Sequence, residues 1–175
     1  MSISYFRSQR ERQETMLEKY GFLCDCQACT LTGDQRRRNN DERQLVVTLD
    51  KHIERHLYDF ESEHNDNSDI VHIRGFKDIA VPGMKETDFD DEDLSDILTA
   101  IKLLYYKLHL MDNLGFKVVS QIAVCSYILE VCEEWDLVNI GLKTAELGLK
   151  LAERIYGRQY HLYKKWCNIV KNFNK

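Results

Sequence analysis

The sequence predicts an all-α protein of antiparallel helical hairpins preceded by a small cysteine-rich segment, and three observations carry that expectation. One proline and eight glycines among 175 residues are too few breakers for the many short strands of a sandwich or barrel. Apolar residues recur at three- and four-residue steps over much of the chain, the period of a helix buried along one face. Cys24, Cys26 and Cys29 crowd into six residues, too tightly for any regular element. With 43% apolar and 30% charged residues, the chain has the composition of a packed domain rather than a disordered one, and its length suits one domain with a small appendage.

Taken in order, residues 6–20 are rich in Arg, Glu and Gln, with Met16, Leu17 and Tyr20 as a sparse apolar stripe. They predict a short, largely exposed helix ended by Gly21. The cysteine cluster follows, then a polar linker from Thr32 to Asn40. From Asp41, a plausible N-cap, Leu45, Val46, Leu49, Ile53 and Leu57 mark an amphipathic helix. Residues 59–93 read as a loop region around Gly75, Pro82 and Gly83, with an acidic run from Glu86 to Asp96 and a short helix near Ile70 to Phe76. Three stronger helices cover Leu94–Leu114, Lys117–Trp135 and Asn139–Tyr156. Gly115 ends the first and Gly157 the third, Gly157 being expected in the left-handed conformation that glycine adopts at little cost. A last helix spans about Gln159 to Phe173. Short connections make consecutive helices antiparallel neighbours, and the Gly-, Ala- and Leu-rich stretch from Gly141 to Gly157 resembles the second helix of a tetratricopeptide unit, without a clean 34-residue repeat.

A net charge of −5 does not suit a general nucleic-acid binder, and Arg36, Arg37 and Arg38 read as solvated linker residues rather than a nucleic-acid or import patch. No apolar run approaches the ~20 residues of a membrane span, and the first residues lack the apolar centre of a signal peptide. The expectation is an intracellular protein, cytoplasmic or nuclear, with no membrane partner. In that setting six cysteines are reduced thiols or metal ligands.

Three thiols at the spacing Cys24-x-Cys26-x-x-Cys29 can be aimed at one point by a tight turn, as a tetrahedral Zn²⁺ requires. Unmetallated thiols are the alternative. A fourth ligand is not evident, since Cys125, Cys132 and Cys167 sit on apolar helical stripes and read as small core residues. His52 and His56, four apart on one helix, read as a solvated face rather than as metal ligands.

Ile3-Ser4-Tyr5, an Arg- and Gln-rich helix, and then Tyr20-Gly21-Phe22-Leu23-Cys24-Asp25-Cys26-Gln27-Ala28-Cys29 resemble the end of the SET domain and the post-SET segment of the SET-and-MYND (SMYD) protein-lysine methyltransferases. Ile155-Tyr156-Gly157, with His161, Tyr163 and Trp166, resembles a signature near the end of that family's helical domain. The resemblance implies residues 1–33 as the end of SET and the post-SET zinc segment, and residues 34–175 as the C-terminal tetratricopeptide-like domain. It implies that Tyr5 polarises and aligns a substrate lysine amine, although Tyr5 reads equally as an aromatic in a terminal tail. Phe22 would stack on the adenine of S-adenosylmethionine, and Cys24, Cys26 and Cys29 would hold a structural zinc. The partner implied is a histone or non-histone protein lysine; as a separate reading, the tetratricopeptide-like hairpins of the helical domain would bind a peptide or chaperone tail in a groove. The Asn-His-Ser motif that precedes the family's fourth zinc cysteine, the glycine-rich start of SET and the MYND ligands are all missing from this sequence. The expectation is therefore the C-terminal part of such an enzyme, inactive alone; a stand-alone helical interaction module is the alternative.

Overall fold

A computed structural model describes residues 6–58, 75–85 and 92–174, and among them seven helices and no strand are formed. Helix α1 (Gln9–Tyr20) starts at a reciprocal cap. The Ser8 hydroxyl accepts from the Glu11 amide, while the Glu11 carboxylate accepts from the Ser8 amide at 2.9 Å, so two otherwise orphaned donors are satisfied. Gly21 closes it, as expected, and does so in the left-handed conformation, φ 73° and ψ 17°. The buried face of α1, however, is polar: Arg12 and Thr15 are enclosed, while Leu17 and Tyr20 of the expected apolar stripe are exposed. The cysteine cluster contains a single helical turn, α2 (Gln27–Thr30), with Cys26 at its N-cap.

Helix α3 (Gly33–Tyr58) runs for 26 residues, about 39 Å at 1.5 Å per residue. The expected polar linker Thr32–Asn40 is thus mostly the first turns of this helix, and Asp41 lies inside it rather than at its cap. Those turns lack an apolar stripe, but Arg37 pairs with Asp34 and Arg38 with Glu42 at 2.8 Å, local pairs that each add a few tenths of a kcal/mol. The second half of α3 buries Val46, Leu49, Ile53 and Leu57 against α4 (Glu92–Asn113). The pair is antiparallel: His56 meets Asp96, Lys107 meets Asp50, and Arg43 reaches the Leu114 carbonyl.

Helix α4 is enclosed on nearly every side, with Ile97, Leu98, Ala100, Ile101 and Leu103 fully buried; a helix apolar around its circumference belongs at the centre of the core. Its end is double-locked. The Phe116 amide donates to the Met111 carbonyl at 2.9 Å and the Gly115 amide to Asp112 at 3.0 Å, with Gly115 at φ 66°, the six-to-one and five-to-two bonds of a glycine C-cap.

Helices α5 (Val118–Glu134), α6 (Val138–Tyr156) and α7 (His161–Phe173) follow through short links and pack in sequence. Cys125 and Cys132 are core residues, as expected, and Cys167 is half-buried. Gly157 does end α6, but at φ 71° and ψ 162° it lies outside the left-handed helical well, in a region essentially reserved for glycine. Between α6 and α7, the rings of Trp166 and Phe173 rest on bare backbone. A Cβ on Gly148 would fall 2.1 Å from the Trp166 ring, and one on Gly141 2.2 Å from that of Phe173.

Residues 75–85 form a strap of turns along α4. Phe76 is buried edge-on to Tyr106, ring centroids 6.1 Å apart, and the Lys102 ammonium lies 5.1 Å over its ring. Further on, Gly83 approaches α6 so closely that a Cβ would stand 2.6 Å from the Asn139 carbonyl oxygen. Of the helix expected near Ile70–Phe76, residues 70–74 lie outside the described residues. No helix among the described residues is long and apolar enough to cross a membrane.

Candidate metal centre

The side chains that hold the cysteine segment come from one face of α1. Gln9, Arg12 and Gln13 are spaced i, i+3, i+4, so they project together. Gln13 grips the backbone of Cys24 from both sides: its carboxamide oxygen accepts from the Cys24 amide at 2.8 Å, and its NH₂ donates to the Cys24 carbonyl at 2.6 Å. Gln9 donates to the Cys29 carbonyl. Arg12 spans the gap, donating to the carbonyls of Arg7 at 2.6 Å and Ala28 at 3.3 Å, with one nitrogen 3.9 Å from the Cys29 sulfur. The Cys29 and Thr30 amides both donate to the Cys26 carbonyl, at 2.8 and 3.0 Å, curling α2 back so that Cys29 faces Cys24 and Cys26.

As a result the three Sγ atoms lie within 4.8 Å of one another, with Cys26 exposed, Cys24 half-buried and Cys29 buried. Sulfurs at the corners of a zinc tetrahedron stand about 3.8 Å apart when each bond is roughly 2.3 Å, so modest side-chain adjustment would let all three reach one ion. The donor set fits zinc, with three thiolates on one side of the ion. Among the described residues no fourth His, Cys, Asp or Glu joins them.

Electrostatics favours negative charge here. Arg12 is 6% and Arg43 3% exposed. Arg43 donates to Asn39 at 2.9 Å and to the Leu114 carbonyl at 3.3 Å, and stacks over the Phe116 ring at 5.3 Å. Burial lowers its pKa to about 10, the nearby Arg12 cation adds to that, and the Cys29 and Cys26 sulfurs oppose it. Were a Zn²⁺ held by the three sulfurs, these two buried cations would offset the net negative charge of the Zn²⁺–trithiolate. The thiols themselves differ. Burial acts against ionisation of Cys26, but hydrogen bonding from Cys24 and from Cys29 and Ala28 outweighs it and holds this thiol below its ordinary range. Burial pushes Cys29 up to about 11, and hydrogen bonding with Cys26 adds to the rise while Arg12 opposes it.

The docking of this segment on the helices is equally specific. The Asn40 side chain accepts from the Gln9 amide at 2.9 Å, and Phe6 packs on Phe116 with ring centroids 5.1 Å apart. Phe22, expected as a cofactor contact, is about half exposed with its ring 6.4 Å from that of Tyr20. Leu17, Tyr20, Phe22 and Leu23 together leave an exposed apolar rim beside the thiols. Tyr5, the expected catalytic hydroxyl, lies outside the described residues.

The two histidines of α3 do not form a solvated face. His56 is buried, its Nδ1 3.0 Å from the Asp96 carboxylate, because that face of α3 packs against α4; neither His52 nor His56 belongs to a metal-capable group among the described residues. Arg37 and Arg38 are solvated and paired with acids of their own helix. Gln9, Arg12, Gln13 and Arg43 were missed in the sequence; the detectable signal was the i, i+3, i+4 polar triplet on a helix whose apolar stripe is too sparse to bury it. No protein-family model matches the chain, and no curated protein matches it.

Proposed function

We propose that Cys24, Cys26 and Cys29 bind one structural Zn²⁺, and that the chain is the C-terminal part of a SET-and-MYND type protein-lysine methyltransferase. The convergence of three sulfurs within 4.8 Å, on a segment oriented by Gln9, Arg12 and Gln13, carries the metal reading. The zinc would clip the loop after α1 to α2. The methyltransferase reading rests on the residue pattern around Tyr5, Phe22 and the thiols. It is supported by the exposed apolar rim of Leu17, Tyr20, Phe22 and Leu23, the kind of surface that marks a contact with another protein face or a ligand. S-adenosylmethionine would supply the methyl group to a histone or non-histone lysine, with Phe22 against its adenine and Tyr5 orienting the amine. Helices α4–α7 would form the tetratricopeptide-like lobe that shapes substrate access.

Metal analysis of the purified 175-residue chain tests the first part. The expected result is about one zinc per chain, readily lost to a chelator because three protein thiolates leave one tetrahedral position open. Zinc-free protein from zinc-supplemented growth, with all three thiols freely alkylated, would refute it. For the second part, the chain alone should transfer no methyl group from S-adenosylmethionine to protein lysine, and measurable transfer would refute the placement of the catalytic apparatus outside this sequence.

A further inference from the structure

Away from the thiols, a groove of about 480 Å³ opens between the strap 75–85 and helices α4, α5 and α6. Its floor is apolar, made by Tyr105, Leu108, Leu147 and Leu151, with Ile79 and Pro82 of the strap as one wall. One polar side chain on this floor stands out. Gln121 of α5 is 5% exposed, lines the groove, and its carboxamide has no hydrogen-bond partner among the described residues. Every fully enclosed side-chain nitrogen or oxygen among those residues is hydrogen-bonded. The Gln121 carboxamide is therefore the point at which this otherwise buried side chain meets the open groove. At the groove surface this carboxamide can exchange bound water for the polar groups of a ligand.

We infer that this groove binds a short extended peptide segment that pairs an apolar side chain with a lysine or arginine. A carboxamide offers one acceptor and two donors, the complement of a peptide unit's own N–H and C=O, so Gln121 can satisfy both backbone groups of one residue at the groove floor. The leucines accept the apolar side chain. Asp78 and Asp112 are exposed at the rim, and among the described residues no lysine or arginine lines the groove, so the complementary charge is positive. His109 also lines the groove, its Nε2 2.9 Å from the Asn113 side-chain nitrogen. The volume suits such a segment, since sites for small organic groups run from about 300 to 1,000 Å³.

The test is a ¹⁵N NMR titration of the full chain with the capped peptide acetyl-Ala-Leu-Lys-Leu-Ala-amide, alongside the same peptide with Glu in place of Lys. Saturable shifts of the Gln121 side-chain NH₂ signals by the lysine peptide are expected, with the glutamate peptide about tenfold weaker. The surface double variant D78N/D112N, which leaves the fold and zinc content unchanged, is expected to weaken the lysine peptide by about three- to tenfold. Q121L, apolar and close in size, is expected to abolish the fit of the peptide backbone. The inference is overturned if the Gln121 signals do not move, if both peptides bind alike, if Q121L binds as the parent does, or if n-butylamine saturates the same signals with equal affinity, which would make the groove a site for small amines. None of these readouts depends on the metal, so failure here is separable from failure of the zinc reading.

Discussion

Arg12 does two jobs with one guanidinium. It closes the loop by donating to the carbonyls of Arg7 and Ala28, and it sets a cation 3.9 Å from the Cys29 sulfur. Outer partners of metal ligands are worth about 10- to 100-fold in metal affinity, so Arg12→Met is expected to lower zinc affinity by about tenfold, measured by competition with a chromophoric chelator. The same measurement should show affinity rising with pH. The thiol of Cys29, pushed up to about 11 by burial, is protonated at neutral pH and must release its proton to bind, so each step toward alkaline pH removes part of that cost. At this scale the convergence of the three thiols was legible from spacing alone, because three cysteines in six residues leave few geometries. Their supporters were not. Gln9, Arg12 and Gln13 look like ordinary exposed helix residues until the chain has folded back on them, and Arg43 acts on a carbonyl 71 residues away.

Among the elements, α6 and α7 show how small residues set packing. Trp166 and Phe173 are seven residues apart, as are Gly141 and Gly148, and each ring covers one glycine. Gly148→Ala would gain helix propensity of nearly 1 kcal/mol, yet its methyl would stand 2.1 Å from Trp166, a position no small rotamer change relieves. The expected net effect is destabilisation by about 1–3 kcal/mol, read from urea unfolding, whereas an alanine at the exposed Asn168 should change little. Helices α4 to α7 were legible because their apolar periodicity is long and continuous. The first turns of α3 were not, because they are held by Arg37–Asp34, Arg38–Glu42 and the docking of α1 through Asn40, none of which leaves an apolar stripe. His56 was misplaced for a related reason: its partner Asp96 is 40 residues distant.

Over the whole molecule, the buried acids of the core set an alkaline limit. Burial pushes Cys125 and Cys132 each up to about 12 from an ordinary value near 9. It also pushes Tyr105 to about 12, although the Thr144 hydroxyl at 2.7 Å opposes the rise. These groups hold their protons more tightly when folded. Their contribution to stability is therefore intact below pH 9 and is lost progressively between about pH 9 and 12, where the unfolded chain ionises first. Urea midpoints at pH 8 and pH 10.5 should show this drop, and Cys125→Ala should shrink it while lowering stability at both values. The uninterrupted length of α3 has a last, angular consequence. One end of it receives the cysteine clip and the other meets α4, with no hinge between, so the two are phased like marks on a single shaft. A residue inserted between Asn40 and Leu45 would turn the clip by about 100°, swinging it off the Phe116 seat, and the azimuth of the thiol cluster is thereby encoded in the count of residues along one rod.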